Sequence, residues 1–297
     1  MSHVIKEYLR QLHQKKAVRA LTTAAVFVAL PGIGAYSYLW GVKRIKVDRV
    51  FLSIGNRFPK LRGLKIAQIS DLHYGPTNKD TDHFARAVKI INKLKPDLIV
   101  LTGDYYQWDP EYQENLPEIL GELKAPLGTF GSFGNHDYGA CYPGTLHCDP
   151  FDHRTLKVLF ANNEIAMLCN ENVVLDYHGQ GFNLMGLHDL WSGLFDPTAA
   201  FEQVDATTMP TILLSHNPDT VHLVQHDFDL MLSGHLHGGQ LSLPFVGTVT
   251  TQTKNKELRR GLYKFGDRKH LYINRGLGHT FRLRLNSPPE VTLLEIV

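Results

Sequence analysis

Short apolar runs of strand length recur along this chain, and polar residues of the kinds that hold metals stand at their ends. Leu64-Lys65-Ile66-Ala67-Gln68-Ile69 predicts a strand that stops at Asp71. Leu98–Leu101 is an unbroken apolar run, the pattern of a strand buried on both faces, and it leads to Gly103-Asp104. Phe130–Phe133 leads into Asn135, Ile212–Leu214 ends at His216, and Leu230–Leu232 ends at His235. Phe84, Ala87, Val88 and Ile91 have helical spacing, and Pro96 stops that helix. Asp196-Pro197 reads as a helix cap followed by proline at the first helical position. From Leu262 to Val297 strand-like pieces alternate with turn residues. The alternation predicts an α/β domain over residues 57–297, with 43–56 as a linker before it.

The amino-terminal pattern is different. Ala20–Val42 is 23 residues without a charge, and about 20 apolar residues suffice to span a bilayer. Pro31, Gly32 and Gly34 interrupt the run, and Tyr36, Tyr38 and Trp40 cluster at its end as an interfacial belt would. A cleaved signal peptide is the competing reading; its apolar stretch is usually shorter and its cleavage site is not followed by aromatics. A retained anchor over 20–42 is therefore expected, as one span or as a hairpin bent at Pro31-Gly32. Basic residues flank both ends, so the positive-inside rule gives no orientation for a single span, whereas a hairpin would leave both flanks on the cytoplasmic side. In residues 1–19, Val4, Ile5, Tyr8, Leu9 and Leu12 share one helical face among basic residues, as in an interfacial helix.

Composition narrows the function classes. The 297 residues suffice for one large core, and 31 basic against 29 acidic residues give no support to a nucleic-acid partner. Three cysteines, Cys141, Cys148 and Cys169, do not make a disulfide framework, although a single Cys141–Cys148 bridge stays open. Of sixteen histidines, five fall in the segments at the strand ends.

Those segments are Asp71-Leu72-His73, Gly103-Asp104, Gly134-Asn135-His136-Asp137, Ser215-His216-Asn217 and Gly234-His235-Leu236-His237. In α/β sheets, sites form beyond the carboxyl ends of strands, so five strand-end segments can converge on one rim. A phosphate ester repels an attacking hydroxide, and two divalent cations about 3.5–4 Å apart answer this by neutralising charge and acidifying water. Such a pair needs a shared carboxylate plus imidazole and neutral oxygen donors. Asp104 suits the shared position. Asp71, His73 and His237 would complete one ion, and Asn135, His216 and His235 the other. His136 is left over; beside Asp137, which would orient it, it is suited to protonate a leaving oxygen. The mixed His, Asp and Asn set accepts Mn, Fe or Zn.

Taken in order, the segments resemble the calcineurin-like metallophosphoesterase superfamily, whose pattern is D-x-H, G-D, G-N-H-[DE], H and G-H-x-H. The likeness runs from about Ile66 to the C-terminus, and the site roles above agree with the family's. It implies a four-layer fold, a two-sheet β-sandwich flanked by helices, here preceded by the membrane segment. Ser70-Asp71-Leu72-His73, Ser215-His216-Asn217-Pro218-Asp219, Gly238-Gly239-Gln240 and Arg275-Gly276-Leu277-Gly278 look like the bacterial membrane-associated branch. That branch includes phosphodiesterases and a UDP-diacylglucosamine pyrophosphatase of lipid A synthesis, to which Ala125–Tyr138 and Trp191-Ser192-Gly193 are similar.

Further residues have a functional and a plain reading. Arg275 and Arg282 suit a second phosphate as bidentate donors, or are ordinary loop charges. Trp191 and His188 would line the cleft or simply pack. Leu241–Phe245 would be an apolar rim for an acyl chain, or a strand. Cys141, His147, Cys148 and His153 match no zinc spacing and read as a loop near the mouth. The expectation is an enzyme anchored in a bacterial inner membrane, catalytic domain toward the cytoplasm. It would cleave a phosphodiester or pyrophosphate bond, with UDP-diacylglucosamine as the specific substrate. The alternatives are a general phosphodiesterase or phosphatase for soluble substrates, and a non-catalytic membrane scaffold, which the full ligand set opposes.

Overall fold

A computed structural model describes residues 31–297 apart from 77, 108–114, 143–144, 147–151, 203, 205, 207, 244–246 and 249–252. Among the described residues sixteen strands follow one another. The first half supplies β1 (Lys46–Leu52), β2 (Lys65–Ile69), β3 (Leu98–Thr102), β4 (Thr129–Ser132), β5 (Ala140–Tyr142), β6 (Thr145–Leu146) and β7 (Ile165–Met167). The second half supplies β8 (Glu171–Tyr177), β9 (Gln180–Gly186), β10 (Thr211–Leu214), β11 (Leu230–Ser233), β12 (Ser242–Leu243), β13 (Gly247–Thr248), β14 (Gly261–Phe265), β15 (Lys269–Ile273) and β16 (Glu290–Ile296). The helices are α1 (Thr81–Leu94), α2 (Asn115–Gly121), α3 (His153–Ala161) and α4 (Pro197–Phe201).

Two mixed six-stranded sheets carry the fold. One has the order β1-β16-β2-β3-β4-β7 and the other β14-β15-β11-β10-β9-β8. Within the first, β2, β3, β4 and β7 are parallel neighbours; within the second, β9, β10, β11 and β15 are. The alternation of side chains explains the layering. On one face of the first sheet Ile66, Leu98 and Val100 meet Leu184, Ile212 and Leu230 of the second. On its other face Ala67, Ile99 and Leu101 pack under Phe84, Val88 and Ile91 of α1. Met185, Leu213 and Met231 of the second sheet lie under Ala200 and Phe201 of α4. Each fully buried side chain of this size contributes about 1.5–3 kcal/mol, so the central strands β2, β3, β10 and β11 are held from both faces. Asp80 caps α1 by accepting the N–H of His83, and Lys95 ends it in a left-handed conformation.

Two amino-terminal expectations meet the structure differently. The stretch 43–56 reads as a linker, yet Lys46–Leu52 is β1, an edge strand parallel to β16. Its sequence mixes Lys46, Asp48 and Arg49 among apolar residues and most of it stays partly open to solvent, which disguises it as a linker. Residues 1–30, including 20–30 of the expected anchor, lie outside the described residues. Residues 31–41 are helical, closing with a π-turn at Ser37–Gly41. Among the described residues no helix is long and apolar enough to cross a membrane.

Candidate metal centre

The carboxyl ends of five parallel strands, three from one sheet and two from the other, meet on one rim. The loop after β2 carries Asp71 and His73, that after β3 Asp104, and the 3-10 turn Asn135–Tyr138 follows β4. His216 follows β10, and His235 and His237 follow β11. Main-chain bonds lash the loops together: Asp71 N–H to Gly103 O (2.9 Å), His73 N–H to Asp104 O (3.0 Å) and Gly234 N–H to His216 O (3.0 Å). Asp71, His73, Asp104, His235 and His237 all have positive φ, between 47° and 72°. Non-glycine residues in that region carry strain of about 1–3 kcal/mol each, and its concentration here marks a site.

The side chains form three interlocking groups, each with ligand atoms within 4.8 Å of one another: Asp71–His73–His237, His73–Asp104–His136 and Asp104–His216–His235. Asp104 Oδ2 stands 3.5 Å from His73 Nε2 and 3.1 Å from His216 Nε2, between the two halves. His73 Nε2 and His237 Nε2 are 2.9 Å apart, and His235 Nδ1 and His216 Nε2 are 3.2 Å apart. Asn135 donates its amide N–H to Ala140 O (2.6 Å), which turns Oδ1 inward; that oxygen is buried and accepts no hydrogen bond. His216 Nδ1 lies 2.7 Å from Thr102 O, so it donates there and leaves Nε2 as the nitrogen that faces Asp104 and His235. Closely paired histidine nitrogens, an orphaned amide oxygen and a shared carboxylate make a donor set that fits cations. These buried His and Asp clusters are able to bind metal ions.

Burial and charge set the protonation states. Burial alone would raise Asp104, but His216, His136 and His73 outweigh it and hold its carboxyl well below the usual range. His216 resists the lowering effect of burial and is pushed up to about 10 by Asp104. Burial raises Asp71 to about 7. His73 and His237 are held well below the usual histidine range, His73 chiefly by burial and His136, His237 by burial and His73. They are therefore neutral, the form that ligates.

Supporting residues emerge that the sequence did not single out. Arg284, 1% exposed, reaches His237 Nδ1 at 3.3 Å and the carbonyls of Arg275 and Ser287. Asp189 is fully buried; one oxygen accepts the N–H of Trp191 and the other is left without a partner. Glycine is required at 134 because a β-carbon there would collide with the Asp104 carboxylate and backbone.

The remaining expectations divide. Trp191 reaches the rim, its ring edge-on to His235 at 4.8 Å. His136 lies edge-on to His73 at 4.7 Å, its N–H bonded to Asp104 Oδ1 (2.9 Å). The sequence puts Asp137 beside His136 to orient it. The carboxylate instead accepts four backbone N–H groups, those of Gly134, Asp104, Tyr105 and Tyr106, because the tight turn folds it back under the loop. Arg275 is engaged by Asp48 and Glu290, not by the cleft. Arg282 sits over the Tyr38 ring. His188 Nδ1 bonds Tyr138 OH. His147, Cys148, Pro244 and Phe245 lie outside the described residues, and with them the Cys141–Cys148 bridge and most of the Leu241–Phe245 rim; Cys169 is a free thiol.

A two-sheet α/β sandwich with metal-competent clusters at the joined strand ends defines a metallophosphoesterase. The family model for calcineurin-like phosphoesterases matches residues 64–239, and the chain belongs to that family of hydrolases. It is 35% identical over 293 residues to UDP-2,3-diacylglucosamine pyrophosphatase LpxG of Chlamydia trachomatis, covering 84% of this chain and 88% of that one. Phosphodiesterase YaeI of Escherichia coli is 37% identical over 238 residues, covering 78% and 82%. An uncharacterized metallophosphoesterase of Bacillus subtilis, YkuE, is 29% identical over 300 residues, covering 97% and 99%.

Proposed function

We propose that this chain is a membrane-anchored, two-metal hydrolase of UDP-2,3-diacylglucosamine. The observation that carries the two-metal reading is Asp104 Oδ2 lying between His73 and His216, with a donor group on either side. Asp71, His73, Asp104 and His237 would hold one ion, and Asp104, Asn135, His216 and His235 the other. Bound there, Mn, Fe or Zn ions would neutralise phosphoryl oxygens and lower the pKa of water at the site.

The protein's own groups then do the rest. Asp104 fixes the main chain of His136 and so aims its ring across the cluster. His136 would give its proton to the oxygen leaving phosphorus. Asp137 acts indirectly, by holding the loops of Asp104 and Asn135 in register. Trp191, against His235, walls the side of the cleft where a flat base would lie.

The substrate follows from two supports. The chlamydial pyrophosphatase covers most of both chains at 35% identity. The uncharged stretch Ala20–Val42 would hold the enzyme where an acylated substrate resides, on the cytoplasmic face of a bacterial inner membrane. Remote binding of the acyl chains would align the pyrophosphate with the ions. Purified full-length protein with Mn, given UDP-2,3-diacylglucosamine, should release UMP and the acylated sugar phosphate, read by mass spectrometry. It should prefer this substrate over the deacylated analogue by a large factor in kcat/KM; equal use of both would exclude the lipid substrate. The second reading, a general phosphodiesterase, is supported by the likeness to the Escherichia coli phosphodiesterase and would then stand.

A further inference from the structure

Beside the metal cluster lies a cavity of about 400 Å³ that takes no part in the chemistry above. Lys43, Lys79, His83, His279 and Arg282 line it, with Asp80 as its one acid among the described residues. The Asp80 carboxylate is occupied by the N–H of His83 at the start of α1 (3.0 Å). Arg282 is held 5.0 Å above the ring of Tyr38, no carboxylate pairs with it among the described residues, and its buried Nε–H has no acceptor. A guanidinium fixed in place and lacking an anion is a ready donor to phosphate.

The cavity and the metal cluster share a wall. Asn78, in the cavity, donates to the carbonyl of Leu72, between Asp71 and His73 (2.7 Å). His83, also in the cavity, bonds the carbonyl of Leu277 (3.1 Å), and the next residue, Gly278, donates to Asp71 O (2.8 Å). On its far side the cavity meets the helical stretch 31–41 through Val42, Lys43 and the Tyr38–Arg282 contact. That helix exposes Ile33, Tyr36, Tyr38, Leu39 and Trp40, the last at 60%. Aromatic and apolar side chains above a ring of cations match the layered polarity of a bilayer surface.

We infer that this cavity is the subsite for the phosphate that stays with the acylated half of an amphiphilic substrate, an inference that rests on the lipid-linked pyrophosphate reading. The phosphate oxygens lie against Arg282 and Lys43, and the acyl chains run along the exposed face of residues 31–40. The other half of the substrate lies across the cluster, on the Trp191 side.

The test uses full-length, Mn-loaded protein hydrolysing bis(4-nitrophenyl) phosphate, inhibited by dodecyl phosphate below its micellar concentration, by inorganic phosphate or by UMP. Wild type should bind dodecyl phosphate about tenfold more tightly than inorganic phosphate. Arg282→Gln and, separately, the more exposed Lys43→Gln should each weaken dodecyl phosphate about tenfold and leave UMP within about twofold. Equal dodecyl phosphate inhibition of wild type and both variants would overturn the subsite. Equal affinity for inorganic and dodecyl phosphate, both weakened by the variants, would overturn the amphiphile and leave a plain phosphate site. Should wild type fail to cleave UDP-2,3-diacylglucosamine while the variants still lose dodecyl phosphate, the subsite stands and the substrate reading falls.

Discussion

Arg284 brings a guanidinium nitrogen to 3.3 Å from Nδ1 of His237 although its own side chain is fully enclosed. An arginine only donates, so Nδ1 of His237 accepts and the neutral ring carries its proton on Nε2, which a cation there would displace; the guanidinium charge also adds to burial and His73 in keeping His237 uncharged. It also ties the loop of residues 275–287 together through carbonyls of Arg275, Gly278 and Ser287.

Arg284→Gln should therefore weaken one ion more than the other. Groups outside the ligand shell that fix a ligating histidine in place are worth about 10–100-fold in metal affinity, and Arg284 does so here by holding the loop against His237. Metal titration should show one site loosened by that factor with the second near normal. Two undisturbed sites would mean that Arg284 serves only the loop.

Asp137→Asn tests the bracing role. An amide oxygen accepts fewer of the four N–H groups, and its own NH₂ would face donors. Each buried donor left unmade costs about 1–3 kcal/mol, so thermal unfolding should move down by several degrees and turnover should fall. Lost turnover with unchanged melting would return Asp137 to a direct role at His136.

His136→Ala should keep both ions yet lose about 10²–10⁴-fold in rate on an alkyl ester. With a nitrophenolate leaving group, which needs little protonation, the loss should shrink. An equal loss on both would assign His136 to phosphate binding.

The candidate site was legible because its chemistry follows strand ends: each apolar run stops one to three residues before a ligand type, and five such stops share one rim. What supports the site left no such trace. Arg284 stands alone in a loop whose approach to His237 spans 47 positions, and nothing local encodes that contact. Arg275 and Arg282 read alike in the sequence, but only the structure shows carboxylates of β1 and β16 claiming the first. The four backbone N–H groups that Asp137 accepts come from two loops and leave no local signal in the sequence. The linker reading of 43–56 failed because an edge strand partly open to solvent lacks the continuous apolar run of β3.

The anchor is tested by extraction. Full-length protein should stay with membranes through a carbonate wash, and a truncation that keeps β1, starting at Lys43, should be released. Release of the full-length chain would leave a peripheral, charge-based attachment.

The shared carboxylate is the centre of the account. Metal content of purified Asp104→Asn, read by inductively coupled plasma mass spectrometry beside a circular dichroism spectrum, examines it directly. The variant should keep a native spectrum, lose both ions together and lose turnover on bis(4-nitrophenyl) phosphate. Two ions per chain with near-normal turnover would contradict it.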